Sequence, residues 1–258
     1  MKVARHIVDA RREKLAKLLE RHRYLSVPEL CAQLGISEAT ARRDLEALSK
    51  DDRILRTHGG ALPELEKKFT PLQDRTNLAR KAKERIAMAA LKFVREGGTY
   101  YLDGGTTTLA LARLLCVRPL GAFTILTNNL AAADLLSQVE EFNVRLLGGR
   151  WLHRQAMLVG KEATHALRTW KIDGAFFSAE GMNTAGVWNT NPEVIALQHA
   201  IQEKAAQVWF CLDATKLGLT TPHLLKPWSE VPTLITDANP AQLSAAKIKL
   251  RPKALVSV

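Results

Sequence analysis

The sequence predicts an α/β protein in which a small amino-terminal winged helix-turn-helix domain precedes a larger Rossmann-like α/β domain with a mostly parallel sheet. Two observations support this fold class. Residues 1–62 contain a helix, a glycine turn, a second helix and a hairpin, in that order. From residue 75 to residue 258, apolar strands alternate with helical segments, which is typical of a parallel sheet covered on both faces. A linker with two prolines and a charged run is predicted at 63–74.

The helix-turn-helix prediction rests on residues 28–48. Pro28 suits the start of a helix, because its missing N–H would be unpaired there. Gly35 stands where a helix end favours a left-handed residue, and Ser37 can cap the helix that follows. Three apolar residues of this second helix recur at helical spacing and predict one buried stripe: Ala41, Leu45 and Leu48.

The other face of the second helix carries residues suited to contact DNA. Arg42 and Arg43 can donate bidentately to guanine or to phosphate, and small residues near the start of the helix allow close approach to a groove. An ordinary helical hairpin with two solvated arginines is the alternative for this stretch alone. The predicted DNA-contacting residues are Ser37, Ala39, Thr40, Arg42, Arg43, Arg56 and His58.

The flanking segments favour the DNA-binding interpretation. A basic amphipathic helix is predicted from Arg5 to Arg21, and residues 51–61 predict a strand, a Gly-Gly turn and a return strand. A hairpin directly after such a helix is a wing, which can lay Arg56 and His58 against the DNA backbone or the minor groove. The apolar face predicted for the first helix consists of Ile7, Leu15, Leu18 and Leu19.

Polar segments follow three of the strands predicted in the larger domain, at 103–108, 127–129 and 213–216. Ligands of such sheets bind at the carboxyl ends of the strands. The glycines, threonine hydroxyls and helix N-terminus of 103–108 can hold a phosphate, and no Gly-Lys-Ser/Thr sequence follows to make a Walker A loop. A plain strand-to-helix turn, and a surface position for Lys216, are the alternatives. The predicted strands are 99–102, 123–126, 143–147, 173–177 and 207–212.

Composition agrees with a polyanionic partner but does not locate its site. The net charge is +11, of which residues 1–62 carry +4. No apolar run is long enough to span a bilayer and no signal-peptide core is present, so we expect a cytoplasmic protein without a membrane partner. Cys31, Cys116 and Cys211 are far apart and the histidines lack metal-ligand spacing, so we expect reduced thiols and no metal or cofactor.

The first 62 residues resemble the winged helix-turn-helix domain of the DeoR family of bacterial transcriptional regulators. The matching residues include Val27–Leu30, Leu34–Ser37, Ala39–Leu45 and Arg56–Ala61, with Ala41 where the family usually carries isoleucine. The resemblance continues through the larger domain, which is similar to the family's sensor domain, a relative of sugar-phosphate isomerases and CoA transferases. The motifs there are Asp103–Thr107, Thr127-Asn128, Leu147–Gly149, Glu180-Gly181 and Asp213–Lys216.

The resemblance implies a DNA-binding regulator, expected to be a repressor, of a carbohydrate-utilisation operon. Its implied partners are double-stranded operator DNA, a phosphorylated sugar and further copies of the chain, as a dimer or tetramer. Threonines 106–108 are expected to hold the phosphate, and Arg75 and Lys83 to help anchor it or to connect the domains. The effector-binding residues that the resemblance implies are Asp103, Gly104, Gly105, Thr106, Thr107, Thr108, Thr127, Asn128, Gly149, Glu180 and Lys216.

One departure from the family concerns a lysine that most members carry on the helix before the last of these motifs. Counting back from Asp213 places Gln198, or within one position His199, where that lysine is expected. A neutral side chain cannot replace a permanent cation, so the pocket is expected to take a different or less charged ligand, or to bind it more weakly.

Two other function classes stay open at this point. One is a sugar-phosphate isomerase-like enzyme with an appended DNA-binding module, and the other is an RNA-binding protein. No acid/base pair or nucleophile stands out, since Glu180 and Asp103 have no evident partners in the sequence, so no catalytic residue is expected.

Overall fold

A computed structural model describes residues 5–22, 24–50, 54–56, 60–63, 72–118, 120–153, 155–251 and 254–258. Its amino-terminal part is a three-helix unit with a small antiparallel sheet. The elements are α1 (Arg5–His22), β1 (Leu25–Ser26), α2 (Val27–Leu34), α3 (Glu38–Lys50), β2 (Ile54–Arg56) and β3 (Gly60–Pro63). Strand β3 lies in the middle and pairs with both β1 and β2, which confirms the winged helix-turn-helix prediction.

Local capping explains where the helices of this unit begin and end. Ser26 and Glu29 form a capping box at the start of α2, which begins at Val27, one residue before Pro28. Gly35 ends that helix in the left-handed conformation with φ 64°, and its N–H donates to the Cys31 carbonyl. At the start of α3, the backbone N–H of Thr40 donates to Oγ of Ser37 at 3.3 Å, so Ser37 is the N-cap as predicted.

The buried stripe of α3 joins the other two helices and the sheet in one small core. Leu15 and Leu19 of α1 are fully buried there, but Ile7 is 49% exposed, so its predicted place on the apolar face is wrong. Gly60 lies in strand β3 rather than in a turn. The core residues are Leu15, Leu19, Leu25, Val27, Leu30, Ala41, Leu45, Leu48, Ile54 and Ala61.

The larger part of the chain alternates helices and strands along its whole length. Its first half contains α4 (Leu72–Asn77), α5 (Arg80–Leu91), β4 (Thr99–Leu102), α6 (Thr106–Val117), β5 (Phe123–Thr127), α7 (Leu130–Leu136), β6 (Phe142–Leu146), β7 (Arg150–Leu152), β8 (Met157–Val159) and α8 (Lys161–Ala166). Its second half contains β9 (Ile172–Phe177), β10 (Gly181–Met182), β11 (Gly186–Asn189), α9 (Pro192–Gln202), β12 (Ala205–Cys211), β13 (His223–Pro227), β14 (Leu234–Thr236), α10 (Pro240–Ala245) and β15 (Leu255–Ser257).

Seven of these strands form one sheet in the order β15-β14-β12-β9-β4-β5-β6, and every neighbouring pair is parallel. The five predicted strands are all in it, which confirms the α/β fold with a mostly parallel sheet. Strands β14 and β15 were not predicted, nor were the β7–β8 hairpin and the antiparallel sheet β10-β11-β13.

Alternating side chains of the central strands fill two cores, one on each face of the sheet. Tyr101 and Phe177 point to the face covered by α8, α9 and α10. Tyr100 and Phe176 point to the face covered by α5, α6 and α7, where Phe176 stacks on Trp209 with ring centroids 4.7 Å apart. Because both faces are covered, ligands have access only at the edges formed by the strand ends.

Candidate DNA-binding helix and effector site

The face of α3 opposite the small core is open to solvent. Ser37, Ala39, Arg42 and Arg43 are exposed and Thr40 is half-buried. The guanidinium of Arg42 lies 3.3 Å from the Glu38 carboxylate in an exposed pair, which holds the side chain only weakly. Among the residues that the structure describes, Arg43 has no ion-pair partner. The two predicted DNA-reading arginines therefore stand on an accessible helix surface.

The buried side of α3 carries one charged residue that the sequence interpretation missed. Asp44 is 2% exposed and accepts from Nε of Arg11 at 2.5 Å and from Nε of Arg12 at 3.0 Å. The hydrogen bond to this carboxylate raises the pKa of Arg11 above its ordinary value. These contacts fix α1 against α3. The available signal was the spacing, since Asp44 lies three residues after Ala41 and beside Leu45 in the buried stripe.

The wing carries the other two predicted DNA contacts. The backbone of Arg56 pairs with Ala61 at the end of the hairpin. His58 lies outside the described residues, and the side chain of Arg56 is not described either. Both remain predictions.

At the carboxyl edge of the large sheet, four adjacent strands bring the predicted polar segments together. Because the order is β12-β9-β4-β5, the segments that follow these strands begin at neighbouring positions. Asp213 follows β12, Ser178 and Glu180 follow β9, Asp103 follows β4 and Asn128 follows β5. We call this group of strand ends the carboxyl-edge site.

Asp103 is the centre of a buried hydrogen-bond network at this edge. It is 2% exposed, and its Oδ2 accepts from Nε2 of Gln198 at 2.7 Å and from the backbone N–H of Ser178 at 3.1 Å. Burial raises the pKa of Asp103, whereas hydrogen bonds from Gly104, Gln198, Ser178 and Tyr101 lower it. Because protein groups donate hydrogen bonds to this carboxylate, Asp103 holds the strand ends of the site in place.

The predicted residues after β5 are also held by internal hydrogen bonds. Asn128 is fully buried; its Oδ1 accepts from the Tyr101 hydroxyl at 2.9 Å and its Nδ2 donates to the Leu158 carbonyl at 3.1 Å. The Thr127 hydroxyl donates to the Leu102 carbonyl at 2.7 Å. Burial raises the pKa of Tyr101 well above its ordinary value, which keeps the phenol protonated as a donor.

At three of the predicted positions the residue must be glycine, because neighbouring protein atoms lie where a Cβ atom would stand. A Cβ on Gly104 would lie 2.5 Å from Cε of Met157, and one on Gly105 would lie 2.0 Å from Oγ of Ser178. Gly149 has φ 120°, and a Cβ there would lie 2.3 Å from a backbone oxygen in β8. The space beside these glycines is thus taken by protein side chains and backbone.

The three threonines lie in the first turn of α6 rather than in a preceding loop. Thr108 is 1% exposed, and its hydroxyl oxygen lies 2.7 Å from the carbonyl oxygens of both Asp103 and Gly105, so its single proton is shared between these two acceptors within the protein. Thr107 is buried and Thr106 is half-buried. The N-cap residue of α6 is Gly105, which makes no side-chain hydrogen bond to the first backbone N–H groups of the helix.

The buried Lys83 of α5 is influenced by charges of both signs. Nζ of Lys83 is buried and donates to the carbonyls of Arg75 at 2.5 Å and of Leu78 at 2.6 Å. Burial lowers the pKa of Lys83 to about 8; Asp213 opposes that shift, and Lys216 and Arg75 add to it. Two of the charges that influence the pKa of Lys83, those of Asp213 and Lys216, therefore come from the segment that follows β12.

Arg75 and Glu180 complete the charged set. Nη2 of Arg75 donates to the Gln155 carbonyl at 3.3 Å; burial lowers the pKa of Arg75, and the charge of Glu180 opposes this. The carboxylate of Glu180 accepts from the Thr190 hydroxyl. Charges of both signs therefore influence Arg75 and Lys83, and the N-cap residue of α6 provides no side-chain cap.

Within the described ranges, no group of three or more histidine, cysteine or acidic residues could hold a metal ion. Cys31, Cys116 and Cys211 are free thiols. No helix in the part of the chain that the structure describes is both long and apolar enough to cross a membrane.

Comparison with known proteins gives two family matches and several relatives. Residues 11–64 match the DeoR-like helix-turn-helix domain, and residues 78–238 match the DeoR C terminal sensor domain. The chain is 30% identical over 227 residues to the HTH-type transcriptional repressor GlcR of Bacillus subtilis (strain 168), which covers 87% of this chain and 86% of GlcR. It is 29% identical over 231 residues to the glycerol-3-phosphate regulon repressor of Escherichia coli (strain K12), which covers 89% of this chain and 91% of that repressor.

The similarity of the chain to solved structures is much weaker than its similarity to these relatives. A D-ribose-5-phosphate isomerase in complex with phospho-erythronic acid overlaps 53% of each chain with a TM-score of 0.40 and 16% identity, which is too low to support a conclusion about activity. The sensor-domain match alone spans more than half of the chain, and the helix-turn-helix match covers the unit that carries Arg42 and Arg43. The chain belongs to the DeoR family of transcriptional regulators.

Proposed function

We propose that this regulator represses a carbohydrate-utilisation operon and that a phosphorylated sugar, bound at the carboxyl-edge site, controls the repression. The single observation that carries the proposal is the exposed pair Arg42 and Arg43 on a helix whose other face is packed in a core. The names of the relatives support the regulation of a carbohydrate operon, since they include a glycerol-3-phosphate regulon repressor. The protein would act on chromosomal DNA in the cytoplasm.

In this proposal, two or four copies of the chain present paired winged helices to an operator. A single small module contributes limited affinity, and symmetric half-sites multiply it. The boundaries 1–62, 63–74 and 75–258 are part of the proposal, and the family matches at 11–64 and 78–238 support them. Arg56 and His58 of the wing are proposed to contact the DNA backbone or minor groove.

The proposed phosphate position is the N-terminus of α6. Its uncapped N–H groups and the hydroxyls of Thr106 and Thr107 supply donors, and Arg75, Lys83 and Lys216 supply positive charge. Binding would stabilise one arrangement of the copies and so change their affinity for DNA. A coupling free energy of about 1–3 kcal/mol suffices for such control.

The DNA-binding part is tested with operator sequences selected from a random DNA pool by the full-length protein. The double variant Arg42→Ala, Arg43→Ala should weaken binding about 100-fold, because each bidentate contact contributes roughly 1–3 kcal/mol. Lys50→Ala is the matched control. Lys50 is exposed on the same helix, and its ammonium forms an ion pair with the Glu46 carboxylate. Unchanged affinity in the double variant would remove α3 from the recognition role.

The effector part is tested by the thermal unfolding of the full chain with glycerol 3-phosphate, ribose 5-phosphate and glucose 6-phosphate, each beside its free polyol or sugar. We expect stabilisation by a phosphorylated compound, lost in Thr106→Glu and kept in Thr164→Glu, an exposed threonine of α8. Stabilisation that survives in Thr106→Glu would contradict the proposed phosphate position. Turnover of an aldose or ketose phosphate by the same protein would favour the isomerase alternative instead.

A further inference from the structure

We propose that strand β6 is a self-association surface, along which a second copy of this chain pairs in antiparallel orientation and joins the two large sheets into one. The proposed function requires paired copies but assigns no surface that holds them together. The inference rests on the proposed function in that one respect, and it names the missing surface and its partner.

Strand β6 presents an open edge. It lies at one end of the large sheet and, among the strands that the structure describes, has a neighbour only in β5. The N–H of Leu147 donates to the Thr127 carbonyl in β5 at 2.8 Å. Because the backbone groups of successive strand residues point to opposite sides, the N–H and C=O groups of Val144 and Leu146 point away from β5. These groups are available to another strand.

The edge lacks the features that usually prevent strand pairing, which are prolines, bulges, charged residues and very short strands. Its five residues contain no proline and pair with β5 in continuous register. Its one charged residue, Arg145, lies over the ring of Trp170, 6.0 Å from the centroid. Leu146 is 40% exposed. The opposite edge of the sheet, β15, has only three residues. Strand β6 is therefore the edge suited to accept another strand.

A twofold axis at Val144 gives a register in which this edge is complementary to itself. The two Val144 residues exchange backbone hydrogen bonds, and the N–H of Leu146 donates to the C=O of Phe142 in the second copy. On one face of the joined sheet, Leu146 then lies opposite Phe142 of the second copy, and the two valines lie opposite each other. The second copy thereby covers the leucine that a single chain exposes.

The other face of β6 carries polar side chains that also match in this register. Arg145 lies opposite Asn143 of the second copy, so no like charges are directly opposed. Nδ2 of Asn143 donates to Oγ1 of Thr124 at 3.4 Å, and its Oδ1 can accept from the guanidinium. The two arginines are diagonal neighbours, and each has Glu141 of the second copy on its other diagonal.

Symmetry favours a second copy that uses the same edge. Pairing of β6 with β15 of another copy would continue from copy to copy, into a ring or a filament, whereas pairing of β6 with β6 is complete with two copies. A twofold pair also matches the symmetry of the two half-sites that the proposed regulator would bind. A strand of a different protein is the competing occupant, and it would leave the purified chain unpaired at this edge.

Sedimentation equilibrium of the full chain measures the mass and the dissociation constant of the assembly. Val144→Pro removes the outward N–H without removing a bond to β5, and Leu146→Lys places an ammonium group opposite Phe142. The matched controls are Ser257→Pro, at an outward position of the edge strand β15, and Leu224→Lys, at a leucine of β13 that is 41% exposed. Circular dichroism establishes that each variant is folded.

We expect a dimeric or tetrameric wild-type chain. Both β6 variants should raise the dissociation constant of the pair at least about tenfold, or halve the mass of a tetramer, and both controls should leave it unchanged. The backbone amide protons of Val144 and Leu146 should exchange slowly with solvent in the wild type and rapidly in Leu146→Lys. The inference fails if the wild-type chain is a monomer, or if the mass and these exchange rates are the same in the β6 variants.

DNA binding separates this inference from the proposed function. A fragment with one half-site of the selected operator should bind Leu146→Lys with about the wild-type affinity, whereas a fragment with both half-sites should bind the variant more weakly. If the wild-type chain selects no DNA, the proposed function fails, and the sedimentation and exchange results still decide whether β6 joins two copies.

Discussion

The side-chain amide of Gln198 donates a hydrogen bond from Nε2 to Oδ2 of Asp103 at 2.7 Å. Its other end, Oε1, accepts from Nδ2 of Asn189 at 2.8 Å, so the amide joins β11 to the end of β4. His199, the next residue, is exposed and contacts the Leu225 carbonyl instead. Of the two positions where the family resemblance places a lysine, only Gln198 therefore reaches the carboxyl-edge site.

Replacing Gln198 should destabilise the larger domain. In Gln198→Leu, Asp103 loses a donor and Asn189 loses an acceptor, both in the interior, and each loss costs about 1–3 kcal/mol. We expect the free energy of unfolding in urea to fall by roughly 2–4 kcal/mol. His199→Gln is the matched control and should change it by less than about 0.5 kcal/mol. Equal effects of the two substitutions would show that the network contributes nothing to stability.

Lys83 predicts a specific dependence of stability on pH. Its pKa is about 8 in the folded chain against an ordinary value of 10.5. Between these values the unfolded chain binds more protons, so the free energy of unfolding should rise with pH in this window, by at most about 1.4 kcal/mol per pH unit. This contribution is complete above pH 10.5 and is lost as the pH falls through 8.

The measurement is urea unfolding of the wild-type chain and of Lys83→Met at pH 7, 8, 9 and 10. The variant does not titrate at this position, so the difference in stability between the two proteins should shift in favour of the wild type as the pH rises. A difference that stays constant across this range would mean that the Lys83 ammonium is not destabilised in the folded chain.

Asp44 should stabilise the amino-terminal unit through its two arginines. Asp44→Asn removes the charge that Arg11 and Arg12 share, and we expect a loss of about 2 kcal/mol, since each contact is a charge-assisted hydrogen bond to a buried carboxylate. The exposed Glu46→Gln on the same helix is the control. Hydrogen exchange of the backbone amides of α1 in the full chain measures the effect. Chemical denaturation of a fragment of residues 1–63 that folds alone measures it as well. Unchanged protection of α1 would contradict it.

Gly105 should tolerate no side chain while Ser178 is present. A Cβ at position 105 would lie 2.0 Å from Oγ and 2.1 Å from Cβ of Ser178, so Gly105→Ala should cost about 1–3 kcal/mol through overpacking. Gly148→Ala is the matched control, because a Cβ there meets nothing within 4 Å. Adding Ser178→Gly should restore part of the lost stability, with a coupling free energy of at least about 1 kcal/mol in the double-mutant cycle. Additive effects would show that the two positions do not touch.

Local chemistry explains why much of the fold could be predicted. Gly35 and Ser37 act through atoms only a few residues away, and the buried stripe of α3 follows from helical spacing alone. The five central strands are apolar runs that a covered parallel sheet requires. Strands of two or three residues, such as β10 and β14, have too little pattern to be recognised in this way.

The roles of the polar residues at the strand ends could not be predicted in the same way. Thr106, Thr107 and Thr108 are identical side chains in one helical turn, yet the Thr108 hydroxyl is used by the carbonyls of Asp103 and Gly105. The sequence places a carboxylate at Asp103 but does not show that a residue 95 positions away donates to it. Likewise, helical spacing places Asp44 beside the buried stripe of α3, but only the packing of α1 supplies Arg11 and Arg12 as its partners.

The amino-acid sequence by itself determined the order of the elements, the two-part architecture, the family and the exposed arginines of α3, because these depend on spacing, capping and apolar periodicity within short segments. Only the tertiary structure decided which strand-end residues hold the site together and which oxygens, in Ser178 and Asp213, remain without a partner. Hydrogen-bond partners from distant segments meet only when the parallel sheet forms, and no local pattern encodes which of them will be satisfied.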